Sequence, residues 1–262
     1  MRMENTLSIK IMALKCISIV FCFLFWSTLR GQNSTLYKID RNLTSEYKNM
    51  MRADERIRCD SLEPIFIRKL FTSLHNPITI KNTLDSLSSY ISITKSDDDK
   101  IKFYSLDYQC GGTWHLINSL VQFIKGNGEI GVQKLSTGNE ARDGGYSDCS
   151  YYEVHVVSIN NSNVYITFAW GTHGEGLKFD RIQAFKIVGD QFQECKKCII
   201  NKNDLVLEYR RDGKLNLRFN PVLNEITYNE FIQDENEQFP TFTGNVVTLK
   251  LKDDGFDLQP KN

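Results

Sequence analysis

The sequence predicts a mainly β protein, an antiparallel meander built as a sandwich, a partly closed barrel or a propeller-like stack, with a short N-terminal helical preface. Three observations predict it. From Ser96 onward apolar residues alternate with a period of two, between turns rich in Asn, Asp and Gly. Nothing in that zone keeps a helical period long enough for the crossovers of a parallel sheet, which excludes Rossmann and TIM-barrel plans. The 262 residues are 41% hydrophobic, enough to bury a sizeable core, and 16 Gly, 5 Pro and 7 Cys exclude collagen-like and disulfide-dense scaffolds.

The chain divides into three stretches, 1–31, 32–95 and 96–262. In the first, Arg2, Lys10 and Lys15 precede an apolar run from Cys16 to Trp26, and Ser27, Thr28 and Gly31 follow. This is the pattern of a secretory signal peptide, cut after Gly31, and the run is about half the roughly 20 residues that span a bilayer. The expected destination is therefore the periplasm or the exterior, with no permanent membrane span. Lys+Arg and Asp+Glu both number 32, and stretch 1–31 carries four basic residues against Glu4. The remainder holds 28 basic and 31 acidic residues, so the whole chain has no electrostatic signature for nucleic acid.

The second stretch has a helical pattern over residues 36–94. Asp60 and Ser61 before Glu63-Pro64 signal a start, Phe66, Leu70 and Leu74 recur every four residues, and His75-Asn76-Pro77 signals a stop. Leu84, Leu87 and Ile91 fit a second short helix with Asn82 as its cap. Helices this short need a partner, so their apolar stripes are expected to cover a face or end of the β zone.

In the third stretch the expected strands cover 100–108, 114–124, 151–159, 164–170, 181–188, a segment around Phe192, 205–211, 214–220, 226–231, 246–251 and 256–258. Ile101 and Phe103 fall on one face of the first, and Tyr104, Leu106 and Tyr108 on the other. Asn160-Asn161-Ser162-Asn163, Gly189-Asp190, Asp212-Gly213 and Asp253-Asp254-Gly255 are expected hairpin turns. Asp98-Asp99-Lys100-Ile101, Asp212-Gly213-Lys214-Leu215 and Asp254-Gly255-Phe256 form a loose turn-then-strand repeat, the observation behind the propeller-like alternative.

The run Ser96-Asp97-Asp98-Asp99-Lys100-Ile101-Lys102-Phe103-Tyr104-Ser105-Leu106-Asp107, followed by Gly111-Gly112-Thr113-Trp114-His115, resembles the central signature of a group of secreted proteins of Bacteroidota-type bacteria. Leu106 stands where that signature more usually has an aromatic residue. The resemblance covers about twenty residues and implies an exported, β-rich chain with a helical preface. The group has no assigned activity, so no catalytic residue carries over.

Export makes cysteine pairing expected. Beyond the signal segment stand Cys59, Cys110, Cys149, Cys195 and Cys198, an odd number, so at least one stays unpaired within the chain. Cys195, Cys198, Cys110 and Cys149 are the candidates for disulfides. Cys195-Lys196-Lys197-Cys198 lacks the following helix of a redox motif and the second ligand pair of a zinc site.

No nucleophile elbow, phosphate loop, dinucleotide fingerprint or EF-hand is present. The separations of His115, His155 and His173 match no metal-ligand spacing, and neither metal nor cofactor is expected. Two loops carry the remaining chemistry. Trp170-Gly171-Thr172-His173-Gly174-Glu175-Gly176 places His173 and Glu175 as a proton-transfer pair among glycines that admit close approach of a ligand. The loop 138–150 contains Tyr146, whose ring, with those of Trp114 and Trp170, offers a flat face for a sugar or peptide. The candidate ligand site is therefore Trp114, His115, Trp170, His173, Glu175 and Tyr146. The function expected is an exported binding or interaction module for a glycan or an envelope protein, with a hydrolase of an envelope or dietary polymer as the alternative.

Overall fold

The computed structural model describes residues 34–135, 146, 148–174, 176–234 and 237–259; stretch 1–31, expected to be a signal peptide, lies outside them. The helical stretch opens with α1 over residues 34–52, which buries Leu43, Tyr47 and Met50 at spacings of four and three. Asp54 caps the next helical run, its carboxylate accepting from the Arg56 N–H at 3.0 Å. That run comprises α2 (Glu55–Ile57), a π turn over Arg58–Leu62 and α3 (Glu63–Leu74). The start expected at Asp60-Ser61 is therefore interior. Pro64 has no N–H to return to the carbonyl four residues back, and the wider i→i−5 bond from Glu63 to Arg58 absorbs the defect instead of ending the helix.

Asn76 breaks α3 and restarts the chain as α4 (Pro77–Lys81), its side chain accepting from the Ile78 N–H at 3.1 Å. Asn82, expected to begin a helix, ends this one in an extended conformation. Leu84, Leu87 and Ile91 are buried, but on a turn and a single 3-10 turn at Leu87–Ser89. The carboxylate of Asp40 on α1 caps that turn, accepting from the N–H groups of Ser86 and Leu87 at 2.9 and 3.0 Å.

The β zone is mainly antiparallel sheet, in three open layers, none of which closes into a barrel among the described residues. The first sheet is β1 (Ser92–Lys95), β2 (Ile101–Asp107), β3 (Ile117–Ile124) and β4 (Ile130–Lys134), paired in chain order. A boundary at 95/96 would cut its first hairpin, because Ser92–Lys95 pairs with Ser105–Lys102. The second sheet is β5 (Ser150–Ile159), β6 (Ser162–Thr172), β7 (Leu177–Val188) and β8 (Gln191–Glu194); β9 (Asp204–Arg210) pairs with the first half of β7, beside β8 on the second half. The β5–β6 turn places Asn160 and Asn161 at φ 50° and 58°, the left-handed region that asparagine tolerates best after glycine. The third sheet is β10 (Arg218–Asn220), β11 (Glu225–Ile232), β12 (Thr241–Leu251) and β13 (Phe256–Leu258). Asp212-Gly213 turns the chain without making a hairpin. Leu215 beyond it is buried between the second and third sheets, and β10 pairs with β11.

Alternation distributes the core over three interfaces. Tyr104, Leu106 and Leu120 face the helices together with Phe66, Leu70 and Leu74. Phe103 and Val121 meet Tyr151, Tyr165 and Phe185 between the first two sheets. Ile166, Phe168 and Ile182 meet Ile226, Leu249 and Phe256 between the second and third. Each interface buries apolar side chains from both layers, so the stack is held mainly by the hydrophobic effect.

On the helix side of β2, Lys102 is 1% exposed, and its ammonium donates to the carbonyls of Thr79 and Asn82 at 2.9 and 2.7 Å. Gln122 donates likewise to the Leu74 carbonyl and the Thr79 hydroxyl. These bonds satisfy carbonyls that the C-terminal ends of α3 and α4 leave open, and the lysine charge complements the helix dipole. Burial lowers the Lys102 pKa from 10.5 to about 8. Between those values the unfolded chain binds more protons than the folded one, so this lysine makes stability rise as pH rises through that window. Unfolding of the native chain and of Lys102→Met in urea at pH 7.5 and 9.5 checks the sign: the native chain gains relative to the variant at the higher pH, and a pH-independent difference contradicts the assignment.

Candidate functional site

Residues from both of the first two sheets meet at one end of the stack. The loop after β2, residues 108–116, turns through Gln109, Gly111 and Gly112 at positive φ. Gly111 is required there, since a Cβ would lie 2.2 Å from the carbonyl oxygen of Trp114. The loop is fastened to the helices twice. Cys110 is disulfide-bonded to Cys59, and Arg58 donates to the carbonyls of Tyr108 and Gln109 at 3.0 and 3.2 Å. On the other side Arg211, beyond β9, donates to the carbonyls of Thr113, Leu177 and His173, tying the 108–116 loop to both ends of the β6–β7 connection through one guanidinium.

These anchors bring five of the six predicted site residues together. The imidazole of His173 lies 5.1 Å from the Trp114 ring, 4.6 Å from Tyr146 and 5.2 Å from Phe179, measured between centroids. His115 lies 6.3 Å from Trp170, and its backbone N–H donates to the Thr172 hydroxyl at 2.8 Å. Lys178 holds its ammonium 5.4 Å from the centre of the Trp170 ring and 5.9 Å from that of Tyr209, a cation–π arrangement. Glu175 lies outside the described residues.

Both histidines of the cluster have a carboxylate on Nδ1. His173 pairs with Glu208 at 2.6 Å, across 35 residues of sequence, and His115 with Asp107 at 2.7 Å. With its Nδ1 proton donated to a carboxylate, a neutral imidazole presents a lone pair at Nε2. Among the described residues, the buried Nε2 of His173 has no hydrogen-bond partner, and neither has the indole Nε1 of Trp114. Behind the cluster, Asp180 accepts from the hydroxyls of Tyr152, at 2.8 Å, and Tyr209. Burial first, and the Asp180 charge second, raise both phenol pKa values, so both remain protonated donors.

No family model, curated protein or solved structure matches the chain. Residue geometry therefore carries the functional reading.

The remaining candidates lie elsewhere. His155 bonds Glu153 at 2.7 Å and packs 4.5 Å from the Phe219 ring, against the third sheet. Among the described residues no group of three or more His, Cys, Asp or Glu side chains is placed to hold a metal ion. Cys195 pairs with Cys198, and Cys110 with Cys59. Cys149, a candidate for pairing, is instead a free thiol at 0% exposure. It packs among Phe103, Tyr151 and Phe179 between the sheets, whereas Cys110 packs on the helix side. Burial raises the Cys149 pKa to about 11, so the thiol is unreactive at neutral pH.

Of the residues that sequence reasoning missed, Asp107 had a signal, as an acidic residue ending a strand eight positions before His115. Glu208 and Arg211 had none, since only the pairing of β9 with β7 brings them to the cluster.

Proposed function

We propose that the chain is an exported binding module and that this end of the stack is its glycan site. The observation that carries the reading is the coexistence, in one aromatic cluster, of two buried polar atoms without a partner among the described residues, the donor Trp114 Nε1–H and His173 Nε2, which accepts in the tautomer that donates Nδ1–H to Glu208. A buried polar atom without a partner costs about 1–3 kcal/mol. A sugar hydroxyl both donates and accepts, so it complements both atoms once the surrounding side chains shift to admit it, while Trp170 and the partly exposed His115 supply a face for the ring. Export is supported by the charged, apolar and small-residue order of stretch 1–31, and by cysteine pairs that suit an oxidising compartment.

The test is a screen of residues 32–262 against envelope glycans and peptides, repeated with Trp114→Phe. That substitution keeps an aromatic ring and removes the unpaired N–H. Binding is expected to weaken about tenfold while thermal stability holds or rises, a combination that a purely structural tryptophan would not produce. Unchanged affinity in Trp114→Phe refutes the assignment.

The second reading, a hydrolase of an envelope or dietary polymer, is favoured by the His173–Glu208 pair, because a carboxylate on Nδ1 orients an imidazole for proton transfer at Nε2. It requires product formation from a bound polymer that Glu208→Gln abolishes. Binding without turnover leaves the module reading alone.

A further inference from the structure

A recess lies between the first two sheets, away from the aromatic cluster. It has a volume of about 440 Å³ and is bounded by Lys100 just before β2, Lys125 after β3, Lys186 on β7, and Ser162 and Asn163 at the start of β6. The chain is close to neutral as a whole, so three lysines lining one recess are a local feature. Neither Lys100 nor Lys186 forms an ion pair among the described residues, and Lys125 reaches only the exposed Glu129, at 3.4 Å.

The nearby carboxylates are already engaged. Asp98 accepts from the Ser96 hydroxyl at 2.7 Å, the Tyr165 hydroxyl at 2.9 Å and the Lys100 N–H at 3.2 Å. Asp99 pairs with Lys95, and Asp190 accepts from the Asn127 amide at 3.4 Å. The walls are fixed, because the β3–β4 and β7–β8 turns dock through the bond from Gly126 N–H to Gly189 O at 2.7 Å. A Cβ on Gly126 would lie 2.9 Å from that oxygen. Ile124, Ile187 and Tyr165 give the recess an apolar side.

We propose that this recess is a binding site for an acidic saccharide unit. Its carboxylate or sulfate sits among the three lysines, its ring lies against Ile187 and Val188, and its hydroxyls meet Ser162 and Asn163. Lysine suits such a ligand as a set of point charges, without the fixed bidentate geometry of arginine. The volume falls within the roughly 300–1,000 Å³ of small-ligand sites and accommodates one or two sugar rings.

Calorimetry of the exported protein with trigalacturonate, a sulfated trisaccharide and neutral galactotriose tests this. At least one acidic ligand binds, the neutral one does not, and the affinity falls as salt is raised. Preference between the two acids tells carboxylate from sulfate recognition. Lys186→Gln and Lys100→Gln, checked for an unchanged melting temperature, each weaken binding about tenfold, whereas Trp114→Phe leaves it unaltered. Equal binding of the neutral sugar, no binding of either acid, or full affinity in the double lysine variant overturns the proposal. Loss in Trp114→Phe alone places the ligand at the aromatic cluster and equally overturns it.

Discussion

Replacing Cys59 and Cys110 together by serine destabilises the fold by about 2–5 kcal/mol and loosens the loop that carries Trp114 and His115. This bridge joins residues 51 apart in sequence, whereas Cys195–Cys198 spans three. In the chain-entropy account the long loop constrains the unfolded state by about 4 kcal/mol and the short one by about 2. The double substitution at 195 and 198 is therefore the milder of the two. The long bridge also acts in the folded state, where it and Arg58 tie the helical stretch to the 108–116 loop. Urea unfolding of both double variants, followed by circular dichroism, gives the order directly. A larger loss at Cys195 and Cys198 contradicts the account.

Phe103→Ala costs about 3–5 kcal/mol, a large share of the roughly 5–15 kcal/mol that holds a typical domain together. Phe103 is fully buried, lies stacked on Tyr151 with ring centres 4.6 Å apart, and touches the edge of Phe192 at 6.2 Å. Truncation leaves a void at the interface between the first two sheets, whose close packing cannot refill it without moving a strand. The functional consequence follows from geometry. Trp114 and His115 come from the first sheet and Trp170 and His173 from the second, so a loosened interface separates the halves of the site. Val246→Ala, at a position 59% exposed on β12, is the matched control and changes stability by less than about 0.5 kcal/mol. A Phe103→Ala cost as small as the control's would contradict the layered packing described above.

Local pattern made the β character legible. The alternation of Ile101 and Phe103 against Tyr104 and Leu106 assigns each to the correct one of two buried faces, and Asn160-Asn161 marks a hairpin through its left-handed turn. Features set by contacts between distant elements were not legible. Trp114 and His115, read as strand, sit in a loop, because Gly111 and Gly112 turn the chain and β3 begins only at Ile117. The partner of His173 looked like Glu175, two residues away. The observed partner is Glu208, brought there because β9 passes β8 and pairs with the first half of β7. The partner of Cys110 was hidden for the same reason, since Cys59 reaches it only once the helices pack on the outer face of the first sheet.

The central claim, that ligand binds at the cluster of Trp114, Trp170 and His173, has a built-in reporter. Beyond residue 31 the chain contains two tryptophans, and both are in the cluster. The decisive measurement is a titration of intrinsic tryptophan fluorescence of residues 32–262 with a glycan selected in the screen, run beside calorimetry on the same sample. The account predicts a saturable change in emission whose midpoint matches the calorimetric Kd and which Trp114→Phe shifts to higher concentration. Saturable heat with unchanged emission would place the ligand elsewhere and contradict it.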